Sequence, residues 1–226
     1  MGAIAIKLHC PKFSHLLEKM QRKITDIDLM GYEKQKSGVI QVLNELGYVL
    51  SERARLVVAI LQRYIFENPV NKNHIDVFFD KLEMCHTIDF RGRLELDYPT
   101  ITVSDLFLEK MQIVKINEKD IKDVIVLLRE HEVGDKDKEM IDHNYISKLL
   151  SKDWGFYYTV TMNMDKVKAF LPRYEVLSSE DKDDVNSKLD MLRDSIEKAE
   201  KTSGWKMRAK IGPRKKWYRE VEETGI

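Results

Sequence analysis

"RKITDIDLMGY", residues 22–32, sets Asp26 and Asp28 one residue apart inside a run that otherwise reads as an apolar strand. Side chains alternate across a strand, so the two carboxylates project from one face while Ile27 and Leu29 turn to the other, into a core. Residues i and i+2 stand about 6.6 Å apart along a strand, and flexible carboxylates at that spacing can converge on one ion. A second apolar run, "NHIDVFFDKL" (73–82), carries Asp76 between Ile75 and Val77 and predicts a strand over 73–81; "RYIFEN" (63–68) predicts another before it. If these strands are neighbours, three carboxylates meet. Two like charges at about 4 Å repel by about 4 kcal/mol at an effective dielectric near 20, so such a trio either takes up protons or binds a cation. Oxygen donors favour a hard ion, and Mg²⁺ accepts one or two protein carboxylates while leaving positions for phosphate oxygens.

For any one of these aspartates alone the preferred reading is a solvated strand end or turn cap; for the three together it is not. An EF-hand is excluded on the residues: counted from Asp26, the fifth position is Met30 and the twelfth Ser37, neither a suitable ligand. The DxD of nucleotide-sugar glycosyltransferases remains an alternative, since it too holds a metal against a diphosphate, but it does not call for a partner such as Asp76.

Outward from these strands, Val39, Ile40, Leu43 and Leu46 repeat at helical spacing and Gly47 supplies a C-terminal stop, which predicts a helix on the sheet. After Pro99 the pattern turns helical. Ser104 is read as the cap of a run through Val114, and Asn117 as the cap of a helix whose Ile121, Val124, Ile125 and Leu128 form one stripe. Residues 141–171 read as further helices, and Val185, Leu189, Leu192 and Ile196 mark a long amphipathic helix ending near Gly204. The expected fold class is α+β: a small mixed sheet flanked by helices over 1–100, and a helical C-terminal part over 101–226 with a basic, tryptophan-containing tail.

The chain has 226 residues, 43% hydrophobic and 34% charged, with a formal net charge of zero. That composition supports a soluble globular protein with no global pull toward nucleic acid or membrane. No apolar run approaches the roughly 20 residues of a membrane span, and the N-terminus lacks a secretion signal, so the expected compartment is the cytoplasm. Cys10 and Cys85 are read as reduced packing residues.

"TDIDL" (25–29) followed by "IDVFFD" (75–80) resembles the nucleotidyltransferase fold of the DNA polymerase β superfamily, with its glycine-rich turn, [ST]DxD strand and later strand carboxylate. "GAIAIKLH" (2–9), "RKITDIDL" (22–29) and "DLFLEKMQIVKINEKDIKDVIVLL" (105–128) are together similar to the AbiEii-type group of prokaryotic nucleotidyltransferases, a likeness that covers about residues 2 to 130. The resemblance implies a transfer of nucleoside monophosphate from an NTP to a hydroxyl, with pyrophosphate released. Asp26 and Asp28 would hold two Mg²⁺ ions, Asp76 would complete the second site and accept the acceptor's proton, and Thr25 would open the [ST]DxD pattern. Gly2 would let the backbone approach the phosphates, with the helix from Ala3 aiming free N–H groups at them. Arg22 would meet a phosphate, or is a solvated loop arginine. Lys110 would contact phosphate or base, or lies on the wet face of its helix. The acceptor would be an RNA end, a protein side chain or a small molecule. The family's turn is usually a Gly-Gly or Gly-Ser pair preceded by a strand. Met1 stands at that first glycine position here, which implies an upstream start or an impaired phosphate turn. A catalytically silent relative that holds nucleotide, or a partner protein in a toxin–antitoxin pair, is the second reading.

Other residues carry weaker signals. Asp120 and Asp123 match acidic positions of the later motif but are read as structural, Asp120 at the start of the Asn117-capped helix. His74 and His86 are read as ordinary strand and turn residues, and Arg91 and Arg93 as either cleft or turn arginines. Trp205 and Trp217, among the lysines of 201–226, either stack on RNA or pack on the body while the lysines stay wet; the packing reading is preferred.

Overall fold

The computed structural model describes residues 1–51 and 62–221. Residues 222–226 of the basic tail lie outside the described residues. Two short helices, α1 (Gly2–His9) and α2 (Ser14–Lys19), precede strand β1 (Asp26–Gly31). Helix α3 (Lys36–Glu45) follows, then β2 (Val49–Leu50), β3 (Arg63–Glu67) and β4 (His74–Phe79). The sheet order is β1-β4-β3-β2, with β1 parallel to β4 and the other pairs antiparallel. This is the small mixed sheet of an α+β fold, flanked by helices.

Alternation along β1 and β4 sorts the two faces. Ile27, Ile75, Val77 and Phe79 pack with Phe66 and with Leu43, Val39 and Ile40 of α3. Burying each such side chain stabilises the fold by about 1.5–3 kcal/mol, enough to pin the register. The opposite face carries Asp26, Asp28, Asp76 and Phe78, and Phe78 joins a larger core that runs from Ala5 to Ile196. That core continues through a hairpin, β5 (Lys81–Glu83) with β6 (Thr87–Asp89).

The helical part starts with α4 (Val103–Met111) and α5 (Glu118–Glu130), the latter capped by Asn117, whose side chain accepts from the Asp120 N–H. Thr102, not Ser104, caps α4 by accepting from the Asp105 N–H, and the helix ends at Met111, short of Val114. Ser104 is one step too far in: its hydroxyl instead accepts from the Asp142 N–H at 2.8 Å. A short parallel pair, β7 (Glu132–Gly134) and β8 (Met140–Asp142), was not anticipated by the helical pattern around it. Then come α6 (His143–Leu150), α7 (Trp154–Phe170), α8 (Ser179–Lys198) and α9 (Ser203–Ile211). Helix α8 buries Val185, Leu189, Leu192 and Ile196 as expected but stops at Ala199; Gly204 lies inside α9. No helix among the described residues is long and apolar enough to cross a membrane.

Candidate functional site

Parallel pairing of β1 and β4 sets Asp28 directly beside Asp76, with Asp26 beside His74, so the three acids share one face of the sheet. Sharing a face does not make them converge. Asp26 is exposed and accepts from the Thr25 hydroxyl at 3.1 Å. Asp76 is buried and bound by Arg63, whose Nε lies 3.0 Å from Oδ2 and whose Nη2 contacts the same oxygen. Asp28 faces α1 instead. Among the described residues the three oxygens do not form a set within 4.8 Å of one another.

Helix α1 lies against β1 because Gly2 has no side chain. A Cβ there would sit 2.0 Å from Asp28 Oδ2, and the Gly2 φ of +70° lies in the left-handed region that favours glycine. The Met1 nitrogen donates to the Asp28 carbonyl at 2.9 Å. At Gly2, where the backbone was expected to approach a phosphate, the N–H donates to Glu109 Oε2 at 3.1 Å. Ala3 follows, buried in the first turn.

All nine residues of α4 are buried, including Glu109 and Lys110. Lys110 is therefore not on a wet face. Its Nζ lies 3.2 Å from Asp120 Oδ1 and 3.2 Å from Asp123 Oδ2. Burial alone would lower its pKa, but the facing carboxylates of Asp123, Asp120, Glu109 and Asp28 outweigh that and hold it above the ordinary lysine value. Nor is Arg22 solvated. It makes a two-pronged pair with Asp123, Nε to Oδ1 and Nη2 to Oδ2 both at 2.9 Å, with both side chains nearly sealed from water. Asp120 serves twice, its N–H in the Asn117 cap and its carboxylate on Lys110.

The charge balance of this region is unequal. Asp26, Asp28, Asp76, Glu109, Asp120 and Asp123 surround four cations, Arg22, Arg63, Lys110 and the Met1 ammonium. The excess falls on Asp28, whose carboxyl is pushed up to about 7, by burial first and by Glu109 next, with Lys110 opposing and Asp76 and Asp26 adding. Burial likewise raises Glu109, against Lys110, the Met1 ammonium and the Gly2 N–H. A protonated or half-protonated carboxyl beside further acids is a place where a divalent cation would replace protons.

Arg63 and Glu109 were missed by sequence reasoning. Arg63 shares the Asp76 face because Ile65, two residues away, pairs with Asp76 across β3 and β4, a register that no single strand's sequence shows.

The remaining residues fold into the body. Arg93 is a turn residue, as one of its two readings had it, and makes a structural ion pair: it lies 2.9 Å from buried Asp105, near Asp137 and over the Tyr145 ring. Arg91 pairs with Asp89 at the surface. His86 stacks on Phe156 and bonds to Thr159 Oγ1 at 2.8 Å, and burial pushes its imidazole down to about 4. Trp205 packs edge-on against Tyr157 and Trp217 against Tyr158, both at 5.0 Å between ring centres, while Lys206, Lys210, Lys215 and Lys216 stay exposed. Comparison of the chain with protein-family models, with curated proteins and with solved structures finds no match.

Proposed function

We propose that the protein is a Mg²⁺-dependent nucleotidyltransferase that moves a nucleoside monophosphate from an NTP to a hydroxyl acceptor. The observation that carries this reading is the register of β1 on β4, which sets Asp28 beside Asp76 with Asp26 on the same face, against the N-terminal end of α1. Hard oxygen donors and an excess of carboxylate over cation fit Mg²⁺, which Asp26, Asp28 and Asp76 would hold. When bound, Mg²⁺ supplies charge neutralisation for the triphosphate and a lower pKa for the acceptor hydroxyl. The chain's own groups do the rest. Asp76, bound by Arg63 in this structure, would turn from it toward the ion and take the acceptor's proton. Lys110 and Arg22 stay locked on Asp120 and Asp123, so their part is to fix α4 and α5 behind the site rather than to touch phosphate.

A second reading, a catalytically silent nucleotide-binding relative, is favoured by one observation: Arg63 occupies Asp76 and Glu109 occupies the Gly2 N–H, two groups the chemistry would use. Incubation with each of the four NTPs and Mg²⁺ separates the two. Pyrophosphate release that is lost in Asp28→Asn supports transfer; metal-dependent binding without pyrophosphate supports the silent relative; neither binding nor release contradicts both.

A further inference from the structure

At the far end of α1 from Gly2, about 10 Å along the helix at about 1.5 Å per residue, a different donor set gathers. His9, His131 and Glu139 each offer one ligand atom, and these atoms all lie within 4.8 Å of one another. His9 closes α1, His131 directly follows α5, and Glu139 directly precedes β8. The two rings meet edge to face with centres 5.9 Å apart. Both reach the same carboxylate: His9 Nδ1 lies 3.8 Å from Glu139 Oε1, and His131 Nδ1 lies 3.9 Å from Oε2.

The proton arrangement leaves these donors short of a cation. His9 Nε2 contacts Thr100 Oγ1 and lies 3.7 Å from Asp97 Oδ2, a buried oxygen with no hydrogen-bond partner. A proton on Nε2 serves both, which leaves the His9 lone pair on Nδ1, facing Glu139. The His131 side chain is sealed from water, only 5% exposed, and its Nδ1 lies 3.1 Å from the Glu139 carbonyl, so that nitrogen carries the N–H and Nε2 keeps a lone pair with no donor. A buried nitrogen without a donor, a second lone pair aimed at a carboxylate, and an unpartnered acid behind the first ring are what a metal centre with an orienting carboxylate leaves when drawn without its ion.

We propose that His9, His131 and Glu139 form a binding site for a zinc-class divalent cation, with Asp97 orienting His9. Two imidazoles and one carboxylate suit Zn²⁺, or Co²⁺ in its place, and disfavour Mg²⁺. Glu139 is 60% exposed, so the ion can reach the site from solvent. Bound there, the cation ties the C-terminal end of α1 to the α5–β7 junction and to β8, and so holds α1, with Gly2 at its other end, against β1.

The test is titration of the full chain with Co²⁺, read by visible d–d absorption, followed by Zn²⁺ competition. One equivalent of Co²⁺ is expected to give a band that one equivalent of Zn²⁺ removes and excess Mg²⁺ does not. The band should persist in Asp28→Asn, which separates this site from the sheet carboxylates. Glu139→Gln, on an exposed side chain, is expected to weaken Zn²⁺ binding by about tenfold or more with an unchanged circular dichroism spectrum, and His131→Gln to abolish it. Absence of a stoichiometric band, or Zn²⁺ affinity unchanged in Glu139→Gln, overturns the proposal; so does a band lost in Asp28→Asn and kept in Glu139→Gln.

Discussion

Asp28→Asn removes a buried charge repelled by its neighbours while keeping the side chain's shape. The folded carboxyl is pushed from its ordinary 3.8 up to about 7, chiefly by burial and by Glu109. Between those values the unfolded chain has released its proton and the folded one has kept it, so stability falls as pH rises through the window and levels off above about 7. The full loss is on the order of 4 kcal/mol, at roughly 1.4 kcal/mol for each tenfold change. Asparagine cannot ionise and has no such slope. Urea unfolding of both proteins at pH 4 and pH 8 reads the difference directly. The variant is expected to match the parent at pH 4 and to exceed it at pH 8 by about 2–4 kcal/mol. Mg²⁺ should narrow the gap at pH 8 by stabilising only the parent. Equal stability at both pH values, or a variant less stable at pH 8, would refute the charge-excess reasoning and leave Asp28 as a structural residue.

Three further substitutions probe the neighbours. Lys110→Met leaves Asp120 and Asp123 facing each other without their shared ammonium, and is expected to cost about 3–5 kcal/mol in a urea melt, with part recovered by adding Asp120→Asn. Gly2→Ala forces a Cβ into Asp28 at a positive φ and should cost at least about 1 kcal/mol; an unchanged melting temperature would show that α1 does not press on β1 as drawn. Arg63→Gln frees Asp76 and removes a competing positive charge, so Mg²⁺ affinity by calorimetry should rise by on the order of tenfold. Unchanged or weaker affinity would mean that Asp76 takes no part in holding the ion.

The sheet was legible because alternation is a strong local signal: Ile27 beside Asp28 and Ile75 beside Asp76 fix both strands and the face each side chain takes. Asn117 and the stripe behind it were equally plain, since a cap and a 3.6-residue period agree there. What failed is what depends on distant partners. Lys110 looked wet because amphipathic reasoning assumes a helix with one solvent face, whereas α4 is enclosed on every side and its charged residues are met by carboxylates from α5, by Arg93 and by the Gly2 N–H. Ser104 looked like a cap because it precedes an apolar run, yet Thr102 lies the right three residues before Asp105. The Arg63–Asp76 pair needed the β3–β4 register, and the His9 cluster needed α1 to meet a loop from the helical part; neither leaves a spacing that a single strand or helix would show.

Asp26, Asp28 and Asp76 are expected to gather a divalent ion when nucleotide binds. Crystals grown with Mn²⁺ and a non-hydrolysable NTP, with anomalous data recorded at the manganese edge, measure this directly. The expected result is a peak in contact with carboxylate oxygens of Asp26 and Asp28, with Asp76 turned from Arg63 toward it and the triphosphate alongside. Manganese found elsewhere in the molecule, with Asp76 still on Arg63 and no nucleotide at the end of α1, would contradict it.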